Sequence, residues 1–228
     1  MRVHLSGRPV GPLLLAAALL LGALALLGSA AGWDNERIGK LMAQRHGNQA
    51  ARSFDELDRV ISASRTLADA DKLKRINEFL NRKLRFDDDD KLWGQADYWA
   101  SLGETLAKGA GDCEDFVIAK FVSLREAGIA PEKLRLTYVK ARIGGANSSV
   151  TQAHMVLAYY ANPEAEPLIL DNLLTDIKPA SARPDLNPVF SFNSEGIFTG
   201  GAKRPSAGVD RLSRWKDLLL KLQAEGID

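Results

Sequence analysis

The chain has 228 residues, 46% of them hydrophobic and 26% charged, with 19 Gly and 9 Pro, which excludes collagen-like, disordered and multi-span membrane classes. Lys+Arg 30 against Asp+Glu 29 gives a net charge of +1, so no basic excess exists to drive nucleic-acid binding. The single cysteine, Cys113, excludes a disulfide framework and a cysteine-built zinc site.

Residues 1–31 read as a secretory signal peptide. Arg2 and Arg8 precede an apolar run, Leu13–Leu27, and the small residues Gly28, Ser29, Ala30 and Ala31 follow, with Ser29 and Ala31 placed for a signal peptidase. Val10–Ala31 is also just long enough to span a bilayer, so an uncleaved anchor is the alternative; Pro12, Gly22 and the small-residue end favour cleavage. Either way, residues 32–228 are expected to be exported as one domain. Taking the two leader arginines from the 30 basic residues leaves 28 against 29 acids. In an oxidising compartment a solitary thiol is either buried and inert or reactive.

From Trp33 to about Leu84 the pattern is helical. Phe54, Leu57, Val60 and Ile61 recur at helical spacing after Ser53, a plausible cap; Leu73, Ile76, Phe79, Leu80 and Leu84 continue the period. Asp87–Asp90 lacks the alternating oxygen ligands and Gly of an EF-hand loop and reads as a solvated turn. An irregular stretch with Trp93, Tyr98 and Trp99 leads to Gly109 and Gly111. A helix is then predicted from Cys113 to about Ala127, with Phe116, Val117, Ala119, Lys120, Phe121 and Leu124 on one apolar face and Gly128 ending it. After Pro131, Leu134–Tyr138, Met155–Tyr160 and Pro167–Leu170 alternate as strands, the first two separated by the soft loop 144–149. A strand-like patch at Val189–Phe192 and an amphipathic helix over Asp210–Ala224 complete the chain. Helices first and an antiparallel sheet afterwards make the fold class α+β, with one apolar helix lying across the sheet.

Cys113 opens its helix inside Gly111-Asp112-Cys113-Glu114-Asp115-Phe116. A helix N-terminus stabilises a thiolate, and its N–H groups can cradle an oxyanion. The competing reading, a small hydrophobe in the core, would bury three acids beside the sulfur. Of the histidines beyond the leader, His46 lies in a polar segment and reads as a surface residue, whereas His154 opens a strand and suits a general base. If residues 161–166 form the hairpin turn, Tyr160 pairs with Pro167, Asp171 falls opposite Val156, and Asp171 becomes a diagonal neighbour of His154. A one-residue slip would make Asn172 the orienting group instead. Asp112, Glu114 and Asp115 would raise the thiol pKa unless a cation such as Ca²⁺ cancelled their field. Spacing alone leaves that metal site and a helix cap formed by Asp112 and Asp115 equally open.

The runs Glu104–Phe116, Leu134–Lys140, Gln152–Tyr160 and Leu170-Asp171-Asn172 resemble the bacterial transglutaminase-like cysteine peptidases, of the periplasmic LapG type. The resemblance covers most of residues 32–228. It implies a papain-like, transglutaminase-type core, with N-terminal helices and a central nucleophile-bearing helix packed on an antiparallel sheet. On matching positions it makes Cys113 the nucleophile, His154 the base and Asp171 the orienting acid. It also implies calcium dependence through Asp112 and Glu114, with Asp115. The implied activity is thiol endopeptidase cleavage in the N-terminal region of a large calcium-binding surface adhesin, at an Ala-Ala type site, releasing the adhesin and dispersing a biofilm. The implied partner is an inner-membrane cyclic di-GMP receptor that sequesters the peptidase. The N–H of Cys113 is the first oxyanion donor, and Trp99 is a weaker second candidate, since an aromatic there is more often packing. Two other readings stay open. The same thioester could pass to an amine, as in a transglutaminase or amidase, or the chain could be an inactive calcium-dependent binding module.

Overall fold

Three helices begin the fold: α1 (Asn35–His46), α2 (Asn48–Ser64) and α3 (Asp69–Lys83). A computed structural model describes residues 32–200 and 202–227; the leader assigned to 1–31 lies outside the described residues. Asp34 caps α1 by accepting from the Arg37 amide at 3.0 Å. Gly47, at φ +85°, breaks α1 from α2, so α2 starts at Asn48 and Ser53 is a buried residue inside it rather than its cap. The apolar stripes of all three helices, with Ile38, Phe54, Leu57, Ile61, Leu73, Ile76 and Leu80, enter one core. No helix among the described residues is long and apolar enough to cross a membrane.

A short parallel pair, β1 (Arg85–Phe86) and β2 (Ala110–Gly111), brackets two further helices, α4 (Asp89–Trp93) and α5 (Leu102–Lys108). Ser101 and Glu104 close a capping box on α5, and Gly109, left-handed at φ +59°, ends it and turns the chain into β2. The next helix, α6 (Cys113–Glu126), is the centre of the molecule. Every residue from Glu114 to Leu124 is buried. The expected single apolar face is therefore a helix enclosed on all sides, by α3 and α5 on one flank and the sheet on the other.

The sheet has six antiparallel strands in the order β6-β5-β4-β3-β7-β8, built from β3 (Leu134–Arg142), β4 (Thr151–Tyr159), β5 (Leu168–Leu170), β6 (Lys178–Pro179), β7 (Leu186–Asn193) and β8 (Gly196–Thr199). β4 begins three residues earlier than expected, because Thr151–Ala153 pair with Lys140–Arg142 while remaining exposed and so show no apolar period. Leu136, Met155, Leu157 and Leu170 face the main core, and Val139, Val156, Ala158 and Ile169 form a second cluster on the opposite face. α7 (Ser213–Ala224) closes the fold, with Trp215 edge-on to Phe121 and Phe192 at 5.7 and 5.3 Å.

Candidate active site

β4 and β5 pair as Leu157↔Leu170, Ala158↔Ile169 and Tyr159↔Leu168, the register expected from a turn at 161–166. Extending it by one residue sets Asp171 against Val156, diagonal to His154. The side chains meet: His154 Nε2 lies 2.8 Å from Asp171 Oδ1. Asn172 is not the imidazole's partner.

Asp171 is fully buried and completely engaged. Oδ1 also accepts from the Leu173 amide at 3.0 Å, and Oδ2 accepts from Arg183 Nη2 at 2.8 Å. Burial by itself would raise this carboxyl; the His154, Leu173 and Arg183 contacts outweigh it and hold it at about 2. An ionised carboxylate only accepts, so the His154 proton sits on Nε2 and Nδ1 carries the lone pair. The Asp171 backbone is pinned as well, its carbonyl accepting from Asn81 Nδ2 of α3 at 2.7 Å. Arg183 and Asn81 carry no sequence signal of these roles, because the pairs are 12 and 90 residues apart in regions read only for periodicity.

Replacing Arg183 by Met should leave Asp171 Oδ2 buried without its cation. The expected loss is about 3–5 kcal/mol of unfolding free energy, read by urea denaturation. A loss below about 1 kcal/mol would reduce the pair to the weight of a surface ion pair.

Cys113 occupies the first position of α6, half-buried, and its thiol donates to Glu114 Oε2 at 3.1 Å. β5 stops at Leu170, so Met155, paired with Tyr138 of β3 on one side, has no β5 partner on the other, and the Met155 amide faces the sulfur. The thiol thus sits one residue from His154 along β4, yet its hydrogen bond goes to a carboxylate and not to the imidazole. Burial first, then Glu114 and Asp112, push this thiol pKa well above its ordinary range. A protonated thiol needs an acceptor, and the neighbouring carboxylate is a strong one.

The acids form two overlapping groups. Oxygens of Asp89, Asp112 and Asp115 all lie within 4.8 Å of one another, and ligand atoms of Asp112, Cys113 and Glu114 meet the same limit. Asp112 makes no side-chain cap bond, which removes its part of the capping reading left open by spacing. Asp115 Oδ1 accepts from the Ala100 amide at 2.8 Å, while Asp89 Oδ1, Asp112 Oδ1 and Asp115 Oδ2 are buried with no hydrogen-bond partner among the described residues. Burial first, then the charge of Glu114 and of neighbouring carboxylates, raises all three carboxyls, Asp115 to about 8 and Asp112 to about 10. Buried, unpartnered, mutually repelling oxygens fit a hard divalent cation, and calcium prefers such donors. Gly111 is part of this cradle, since a Cβ there would stand 2.7 Å from Asp115 Oδ2.

Asp89 corrects the sequence reading of Asp87–Asp90 as a solvated turn. It is 4% exposed and accepts from the Tyr98 amide, because α4 turns it inward beneath the start of α6. Its place among the acids was invisible in a run of four identical residues. His46 is also no free surface residue. It bonds buried Glu225 at 2.7 Å, and Glu225 further accepts from Ser101 and from the Gly103 amide, tying the C-terminus to the start of α5. Trp99 is packed, stacked on Phe192 at 5.9 Å, with its indole N–H given to Asp97 at 3.2 Å. Asp97 holds a left-handed backbone at φ +92°, kept there by Arg214 at 2.9 Å and by Trp99.

The description of the bacterial transglutaminase-like cysteine proteinases, BTLCP, matches residues 46–184. Among solved structures, EGTA-treated Legionella pneumophila LapG is 35% identical with a TM-score of 0.72, covering 84% of this chain and 100% of that one. A second LapG structure is 35% identical at TM-score 0.70, covering 84% and 99% of the two chains. The calcium-bound form is 36% identical at TM-score 0.69, covering 82% and 98%. None of the curated proteins matches the chain. With one family description spanning the nucleophile, base and acid candidates, and 35% identity over the whole of that LapG structure's chain, the chain belongs to the bacterial transglutaminase-like cysteine proteinases and is a cysteine protease.

Proposed function

We propose that this cysteine protease is a calcium-dependent periplasmic endopeptidase that cuts the N-terminal region of a large surface adhesin, releasing it and dispersing a biofilm, and that an inner-membrane cyclic di-GMP receptor holds it in check. The observation that carries the catalytic part is the 2.8 Å bond between His154 and Asp171, set beside a thiol at the start of a buried helix. The calcium-bound and EGTA-treated forms of LapG support the metal. The export signal read in residues 1–31 supports the location.

In this mechanism Cys113 Sγ adds to the scissile carbonyl carbon while its proton passes to His154 Nδ1, the nitrogen that the Asp171 bond leaves with a lone pair. Asp171 fixes the ring and stabilises the imidazolium. The Cys113 amide, at the positive end of α6, donates to the oxyanion. As the tetrahedral adduct collapses, the C–N bond breaks and the imidazolium proton goes to the departing amine, leaving a thioester. Water, deprotonated by His154, then attacks the thioester and regenerates the thiol. Asp89, Asp112 and Asp115, with Glu114 beside them, would hold calcium, whose positive charge would cancel the carboxylate field that keeps the thiol protonated.

The test is incubation of the protein with N-terminal fragments of large repetitive adhesins, with calcium and with EGTA. A single cut at a paired small-residue site in calcium alone is expected. Incorporation of a labelled amine without cleavage would overturn hydrolysis in favour of transamidation.

A further inference from the structure

Lys120 lies two turns along α6 from Cys113 and is fully buried. Its Nζ has no hydrogen-bond partner among the described residues, and its nearest ring contact is Phe116, 5.7 Å from Nζ to the centroid. Charged side chains on the surrounding elements include Lys72 on α3, Glu114 and Asp115 on α6 itself, His154 on β4, and Asp171 and Arg183 beyond β5. Of these, Asp171 is the one that acts on it. A buried amine that bonds nothing destabilises the fold and returns no structural contact.

We propose that Lys120 is a positioning residue that acts through Asp171: its buried, unpartnered ammonium competes for the field of this carboxylate and limits how strongly Asp171 supports a positive charge on His154. Burial pulls Lys120 down to about 7, against the pull of Asp171, so its charge is present on the acid side of neutrality and fades above it. Asp171 then has three cationic claimants, Arg183, Lys120 and the imidazolium, and removing one leaves more of its field to the others. This kinetic consequence rests on the catalytic reading given above; the burial of an unpartnered amine does not.

Lys120→Met keeps the length and apolar stem while deleting the charge. The first measurement needs no substrate. The unfolded lysine holds its proton to about pH 10 while the folded one loses it near neutrality, so the cost of burying the charge is greatest below neutrality. The Tm of K120M should therefore exceed that of the parent by a few degrees at about pH 6, with the gain shrinking toward pH 10. The gain should grow in an Asp171→Asn background, where the ammonium has lost its counter-charge. The second measurement is the pH profile of kcat/KM, whose acid limb, in the range where the Lys120 charge is present, should move up by about half a unit or more in K120M.

A lower Tm, or failure to fold, would make the amine structural and overturn the proposal. An equal gain in both backgrounds would remove the coupling to Asp171, and an unmoved acid limb in an active enzyme would remove the effect on His154. If the parent cleaves nothing, the catalytic reading fails, and the Tm cycle still decides the coupling.

Discussion

Cys113→Ala is expected to abolish peptide cleavage, by about 10⁴-fold or more, while moving Tm by no more than about 2 °C. The two halves of that result have separate causes. The sulfur is the only atom of the site able to form the thioester, so nothing replaces it. Structurally it bonds Glu114, faces the Met155 amide and only borders the main core, half-buried at a helix start, so its truncation to Ala costs the core little. Turnover of a peptide substrate and a thermal melt read the two halves. Activity retained in this variant would end the thiol mechanism; lost activity together with lost folding would say nothing for it, and Cys113→Ser would then be made to separate the two.

Excess EGTA is expected to suppress turnover by about 100-fold, with recovery on restoring calcium. The cause is electrostatic. Burial and the carboxylates of Glu114 and Asp112 hold the thiol protonated, and a divalent charge among them is what would free the thiolate. A stability signature should accompany it. In the chelated protein Asp89, Asp112 and Asp115 have folded-state pKa values above the ordinary carboxylate value of 3.8, with Asp115 near 8 and Asp112 near 10. An acid whose folded pKa is raised contributes stability while protonated and loses it as pH climbs through that folded value. The Tm of the chelated protein should therefore fall between about pH 5 and pH 8, and calcium should raise Tm most at the alkaline end. Equal rates with and without chelator would remove calcium from the mechanism, and a pH-independent calcium shift would place the ion away from these carboxylates.

Strand pairing was legible because its cause is local. Alternation over Met155–Tyr160 and Pro167–Leu170, joined by a six-residue turn, leaves one register that buries both apolar sets, and β4–β5 pair that way. The diagonal from His154 to Asp171 follows from that register. The helix at Cys113 was legible for a similar reason, a segment rich in apolar residues from Phe116 to Leu124 between Gly111 and Gly128. The hairpin of β7 and β8 was half missed, since its partner strand Gly196–Thr199 is too short to show a period.

The amino-acid order by itself determined the α+β class, the place of Cys113 at a helix start and, given a turn at 161–166, a register that sets Asp171 diagonal to His154. Tertiary structure alone decided that Asp89 joins Asp112 and Asp115, that Arg183 and Asn81 lock Asp171, that His46 meets Glu225 and that Lys120 is sealed inside α6. Periodicity and turn length act between near neighbours and can be read along a line. A charge's partner 12, 90 or 179 residues away is fixed by the path of the whole chain, which no local pattern encodes.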